Sequence, residues 1–196
     1  MPHYNYIEIG TADFRTFTEW ATPGMNGIAV EPIKEYLDRI PNPAGITKIN
    51  AAVSNIDGSL NIYYIPSQVI EQHGLPQWIR GCNSINVPHK TVVRFLTRKN
   101  IDLSIIQNRE VPVISVATLL ATHNVTSVHY FKVDTEGHDT VIVNALLDTP
   151  MRPAKIRFES NRLSDKSSVR TLCERLTLAG YSVKPGPKDT LAVLRA

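Results

Sequence analysis

Short apolar runs alternate along this chain with stretches of helical periodicity. Tyr6-Ile7-Glu8-Ile9-Gly10 reads as a strand ending in glycine, and Phe14, Phe17 and Trp20 follow at helical spacing. Gly27-Ile28-Ala29-Val30-Glu31-Pro32 reads as a second strand. Pro32 opens the helix expected after it, because proline is tolerated in a first turn, and Ile33, Leu37 and Ile40 recur near i, i+4 and i+7. Ile46 to Ser54 is expected to form a third strand. Asp57-Gly58 is a turn signal, with a strand expected over Leu60 to Ile65.

Residues 66–110 are punctuated by Pro66, Gly74, Pro76, Gly81 and Pro88 and are too long for a plain connector, so a lid or acceptor-binding insertion is expected there. Alternation then resumes with a short helix within Val113 to Leu120, a strand over His129 to Asp134, a helix over Asp139 to Leu147 and a strand over Ala154 to Glu159. Asp165 to Ala179 carries Val169, Leu172, Leu176 and Ala179 on one face, and Gly180 stops it. Tyr181-Ser182-Val183 and Thr190 to Leu194 read as a closing hairpin across Pro185-Gly186-Pro187. The alternation implies an α/β fold with a mostly parallel sheet covered on both faces and an antiparallel pair at its edge. Neither a repeat nor a linker interrupts it, so a single domain over residues 1–196 is expected.

Composition narrows the function classes. Hydrophobic residues make up 42% and charged residues 20%, which suits a packed core rather than a disordered chain. The net charge of +3 is scattered, without the clustered basic stripe of a dedicated nucleic-acid binder. Cys82 and Cys173 stand 91 residues apart, which is no zinc spacing, and reduced thiols are expected. The N-terminus lacks the basic start and apolar run of a secretory signal, and no stretch approaches the ~20 apolar residues of a membrane span. A cytoplasmic protein without a membrane partner is expected.

In open parallel sheets, ligands bind beyond the carboxyl ends of the strands. Those ends here are Glu8 to Asp13, Glu31, Asn50 to Ser54, Asp134 to Asp139 and Glu159 to Asn161. Gly10 allows close backbone approach. Glu31 follows it by 21 residues, a spacing at which an acid can accept hydrogen bonds from ribose hydroxyls. A pyrophosphate needs several glycines at a helix N-terminus, yet Gly10 is followed by Thr11, Ala12, Asp13 and Phe14. That acidic loop favours a cationic ligand such as S-adenosylmethionine over a dinucleotide.

The segments IEIGTADF, GIAVEP, INAAVSNIDGSL, FKVDTEGHD and IRFES occur in this order. Together they resemble the FkbM family of S-adenosylmethionine-dependent O-methyltransferases over roughly residues 5–160. The most specific element is Lys132-Val133-Asp134-Thr135-Glu136-Gly137-His138-Asp139. The resemblance implies a Rossmann-like class I methyltransferase fold with a seven-stranded sheet, and the closing strand pair suits that sheet. It further implies donor binding by Glu8, Gly10, Thr11, Glu31, Pro32, Ala52, Val53 and Asp134. Ala52 and Val53 would lie beside the adenine, Glu31 on the ribose, and Glu8 and Gly10 at the amino-acid end. Family members more often carry a second glycine or an asparagine where this chain has Thr11-Ala12-Asp13.

Methyl transfer to a hydroxyl of a small molecule or sugar gains from a base that takes the proton. Asp134, His138 and Glu159 are the candidates. The carboxylates with Asn161 have oxygen donors for a magnesium ion, but no metal is expected. Simpler readings compete. Glu136 and Asp139 suit a first helical turn, His138 suits a helix surface, Lys132 a strand position facing away from the core, and Tyr63, Tyr64 and Trp78 the core. Two other functions stay open: a ribose 2′-O-methyltransferase acting on RNA, against which the absence of lysine from the helix after Asp139 counts, and a non-catalytic Rossmann-like binding module.

Overall fold

A computed structural model describes residues 3–13, 16–85, 87–161 and 164–195, and of Trp20 the backbone alone. The chain begins with β1 (His3–Ile9), a 3-10 turn over Phe17–Trp20, β2 (Gly27–Val30), α1 (Lys34–Arg39) and β3 (Ile46–Ile49). It continues through β4 (Ala52–Ser54), β5 (Gly58–Tyr64), α2 (Ser67–Gln72), β6 (Ser84–Ile85), α3 (Lys90–Arg98), β7 (Gln107–Ser115) and α4 (Val116–Thr122). The last third holds β8 (Ser127–Val133), α5 (Asp139–Leu147), β9 (Lys155–Glu159), α6 (Lys166–Leu178), β10 (Tyr181–Pro185) and β11 (Asp189–Leu194).

The large sheet has seven strands in the order β10-β11-β9-β8-β1-β2-β3. From β9 to β3 all neighbours run parallel, while β11 is antiparallel to both β9 and β10. β2 is buried throughout, but the expected cover on both faces is incomplete at β8 and β9, where Phe131, Val133, Ile156 and Phe158 are buried while Lys132 and Arg157 on the opposite face border a cavity. Ile7, Ile28, Phe131, Ile156 and Phe158 of the strands are fully buried with Leu119 of α4, Ile142 and Leu146 of α5, and Leu172 and Leu176 of α6. Each such side chain contributes roughly 1.5–3 kcal/mol by leaving water. Asp165 caps α6 by accepting from the Ser168 N–H at 2.8 Å.

Several expectations are corrected. The run from Ile46 to Ser54 is two strands, because the chain leaves the large sheet after Ile49 and enters a second, four-stranded sheet of order β4-β7-β5-β6. Asn50 marks the crossing, its amide donating to the carbonyls of Glu31 and Pro32 at 2.9 Å each. The expected Leu60–Ile65 strand is β5 of this second sheet. Residues 107–115 form β7, a strand that the pattern did not reveal, paired along the whole of β5 from Gly58↔Val113 to Tyr64↔Gln107. The helix expected within Val113 to Leu120 is α4, which starts at Val116, where Ser115 accepts from the Thr118 N–H at 3.0 Å. Pro32 does not open α1, which begins at Lys34. The helix expected after β1 is a single 3-10 turn, and Phe14 lies outside the described residues. Pro185 belongs to β10, paired with Thr190, rather than to the turn.

The segment 66–110 is built around its own core. Ile70, Leu75 and Ile79 pack with Val92 and Leu96 of α3. No described helix is long and apolar enough to cross a membrane.

Candidate active site

The ends of β1, β2 and β8 converge with β4 on a cleft of about 540 Å³. Gly10, Ala12, Glu31, Pro32, Ala52, Val53 and Asp134 line it, as do Asn83 and Ile85 from the insertion. A wider cavity of about 1430 Å³ opens beside it, bordered by Thr11, Trp78, Lys132, Arg157, Glu159 and Lys188. Gly10, Ala12, Asp134 and Glu136 border both.

Gly10 is required by packing more than by a ligand. Its φ is +78°, and a Cβ there would stand 2.0 Å from the Asp134 carbonyl oxygen. Ala12 also adopts a left-handed backbone, φ +48°, which glycine or asparagine takes at less cost. The bend turns the Ala12 N–H onto Glu31 Oε2 at 2.8 Å. Glu31 Oε1 accepts from the Ile33 N–H at 2.9 Å. Burial pushes the Glu31 carboxyl up to about 7 against those two donors. Each oxygen keeps a second lone pair, and the residue lines the cleft.

Asp13 does not make the first loop negative. Its carboxylate is 1% exposed and neutralised by Arg80 at 2.7 Å and Arg39 at 3.2 Å. Glu8 borders neither cavity. It is wholly buried, with Oε1 accepting from Lys132 Nζ at 2.8 Å and Oε2 from the Phe17 N–H at 2.7 Å. The pair explains Lys132, which faces inward rather than away, and holds the loop after β1 against the sheet.

The signature loop between β8 and α5 is organised by Asp139. That buried carboxylate accepts from the Thr135 hydroxyl at 2.9 Å and from the Glu159 N–H at 3.0 Å. The acid at the start of α5 therefore serves as a loop anchor, joining the end of β8 to the end of β9. Gly137 (φ +110°) and Glu136 (φ +53°) complete the turn.

Three candidate bases face the cavities. The Asp134 side chain is 43% exposed, with Lys132 Nζ at 3.7 Å. The enclosing walls push its carboxyl up to about 7, Lys132 opposing and Asp139 and Glu136 adding to the rise. Glu159 is pushed up to about 8, first by burial and then by Glu136, Asp139 and Asp134. Burial lowers the pKa of His138, whose Nε2 shares a hydrogen bond of 2.9 Å with Ser54 Oγ of β4. The carboxylates of Asp134, Glu136 and Glu159 lie within 4.8 Å of one another, while the Asn161 amide nitrogen donates to Glu159.

Sequence reasoning passed over Asn83. Its Nδ2 donates to the Arg80 carbonyl at 2.9 Å, but its Oδ1 is buried without a hydrogen-bond partner among the described residues. It also took Trp78 for core, whereas the ring is 40% exposed at the wider cavity and meets Phe95 edge-on at 5.6 Å. Tyr64 is core, as expected.

The model of the FkbM methyltransferase domain matches residues 7–182. The chain belongs to this family. Comparison with curated proteins returned no match. In this FkbM methyltransferase, the match takes in the cleft-lining residues from Gly10 to Val53, residues 66–110 and the signature loop.

Proposed function

We propose that the protein transfers a methyl group from S-adenosylmethionine to a hydroxyl of a small molecule or sugar. The observation that carries this reading is the position of Asp134, which borders both the narrow cleft and the wider cavity. A base there touches the donor side and the acceptor side at once.

The lining of the narrow cleft suits the donor, with apolar Ala52, Val53 and Ile85 beside a few polar groups. It also holds polar atoms with unspent capacity: the orphaned Asn83 Oδ1 and the free lone pairs of Glu31. Glu31 would hold the ribose hydroxyls, Ala52, Val53 and Pro32 would flank the adenine, and Asn83 would accept from its amino group. When bound, the donor supplies an electrophilic methyl group. Asp134 takes the acceptor's proton in its ionised form, and a carboxyl raised to about 7 suits that task at neutral pH. His138, held by Ser54, and Glu159 orient the acceptor from either side. Residues 66–110 roof the site through Asn83, Trp78 and Arg80.

The RNA reading gains nothing from the wider cavity. Of the three cations that border it, Lys132 is paired with Glu8 and Arg157 with Asp189, which leaves little positive charge for a phosphate backbone. The test is calorimetric titration with S-adenosylhomocysteine, followed by a labelled-methyl screen of hydroxylated acceptors. Micromolar binding weakened tenfold or more (~1.4 kcal/mol) by Glu31→Ala is expected. A folded wild-type protein that binds nothing would overturn the reading.

A further inference from the structure

The insertion and the signature loop meet at a second group of side chains that methyl transfer does not use. Cys82 directly follows the 3-10 turn over Gln77–Gly81, and His89 directly precedes α3. Glu136 reaches them from the signature loop. One ligand atom from each residue lies within 4.8 Å of the other two. His89 Nε2 stands 3.1 Å from Glu136 Oε2, with the two side chains 9% and 17% exposed. His89 Nδ1 is buried and has no hydrogen-bond partner among the described residues.

We propose that Cys82, His89 and Glu136 form a zinc site that fastens the insertion to the signature loop. The donor set decides the metal. A thiolate with an imidazole disfavours magnesium and calcium, which take oxygen, and suits zinc. The spacing agrees. Tetrahedral zinc with bonds of about 2.0–2.3 Å holds its ligand atoms roughly 3.3–3.7 Å apart. The His89–Glu136 separation of 3.1 Å need open by only a few tenths of an ångström, and Cys82 need close by no more than about an ångström. His89 and Glu136 also border a cavity of about 710 Å³, so water can fill the fourth position.

A half-buried thiol lies beside this largely buried imidazole–carboxylate pair, a combination of donors that one zinc ion would hold together. Burial and the neighbouring acids Glu136, Glu159 and Asp134 push the Cys82 thiol up, so without a cation it is inert. On binding, the thiol proton passes to solvent, and affinity therefore rises with pH.

The full chain, stripped with a chelator, would be titrated with cobalt(II) and then with zinc against a chromophoric competitor. One cobalt per chain is expected, with the visible bands of a tetrahedral site and a thiolate charge-transfer band. Cys82→Ser should abolish that band and weaken zinc about 100-fold, and His89→Gln about 10-fold. Cys173→Ser should keep the band, and Asp134→Asn should leave zinc affinity within about threefold. Circular dichroism confirms that each variant is folded, and His89→Gln carries the test if Cys82→Ser is not. Substoichiometric binding by folded wild-type protein would overturn the proposal. So would metal binding that survives Cys82→Ser and His89→Gln but is lost in Asp134→Asn, since the ion would then sit on the acid trio.

Discussion

The guanidinium of Arg80 donates to the carboxylate of Asp13 at 2.7 Å, tying the segment above the cleft to the loop beneath it. Arg39 shares that carboxylate but is 44% exposed, whereas Arg80 is 20% exposed. Removing the better-buried partner leaves Asp13 with a screened one. Arg80→Met should cost about 2–4 kcal/mol, and Arg39→Met less than about 1. Thermal denaturation of the two variants checks the order, with about 2–4 °C expected per kcal/mol at this chain length. Equal losses would mean that the pair contributes no tether.

Asp134→Asn should lower kcat by about 10²–10⁴-fold while donor affinity changes less than tenfold. The pH profile distinguishes a base from a mere contact. Asp134 accepts a proton only when ionised, so wild-type activity should climb about tenfold per pH unit up to about 7 and level off above. The asparagine variant should lack that limb.

Glu159 should make stability fall as pH rises. Its carboxyl titrates near 8 in the folded protein against an ordinary 4.5. Between those values the folded state holds a proton that the unfolded chain has released, so the contribution is complete below 4.5 and lost as pH approaches 8. Glu159→Gln should flatten this decline and gain at least about 1 kcal/mol, or 2–4 °C, relative to wild type between pH 5 and 8.5.

Two neighbouring positions should respond in opposite ways. Gly10→Ala forces a Cβ to 2.0 Å from a backbone oxygen, which the strand ends cannot relieve, so a loss above about 3 kcal/mol is expected. Ala12→Gly removes left-handed strain worth about 1–2 kcal/mol at an entropic cost of about 0.5–1. It should be neutral or stabilising, as chemical denaturation would show.

The parallel sheet was legible because its strands recur as short runs rich in Ile, Val, Phe and Tyr, separated by helical stretches, with a glycine or an acid at their ends: Gly10, Glu31, Asp134, Glu159. The second sheet was not. β7 carries Gln107 to Glu110 in the open and buries only Val111, Val113 and Ser115, so its identity as a strand comes from β5, a partner more than forty residues away. Asn50 hides a change of sheet within one apolar run for the same reason. At the site, Asp134, Glu31, Ala52 and Val53 could be read from strand ends. Asn83, Trp78, Cys82 and His89 sit in a segment without periodicity and gain meaning only when its own core folds them over the cleft. Asp13 was misread because the charges that cancel it arrive from residues 39 and 80.

The contact between Gly10 and Asp134 acts as a calliper. Main chain presses on main chain there, and the Asp134 N–H is bonded to the Ile9 carbonyl at 2.9 Å. On the function proposed above, the interval between a methyl source over the first loop and a base at the end of β8 would therefore be gauged by backbone, which side-chain replacement does not alter. Taste in acceptors can wander around the rim of the wider cavity, through Trp78, Arg157 or Lys188, while that interval stays the same.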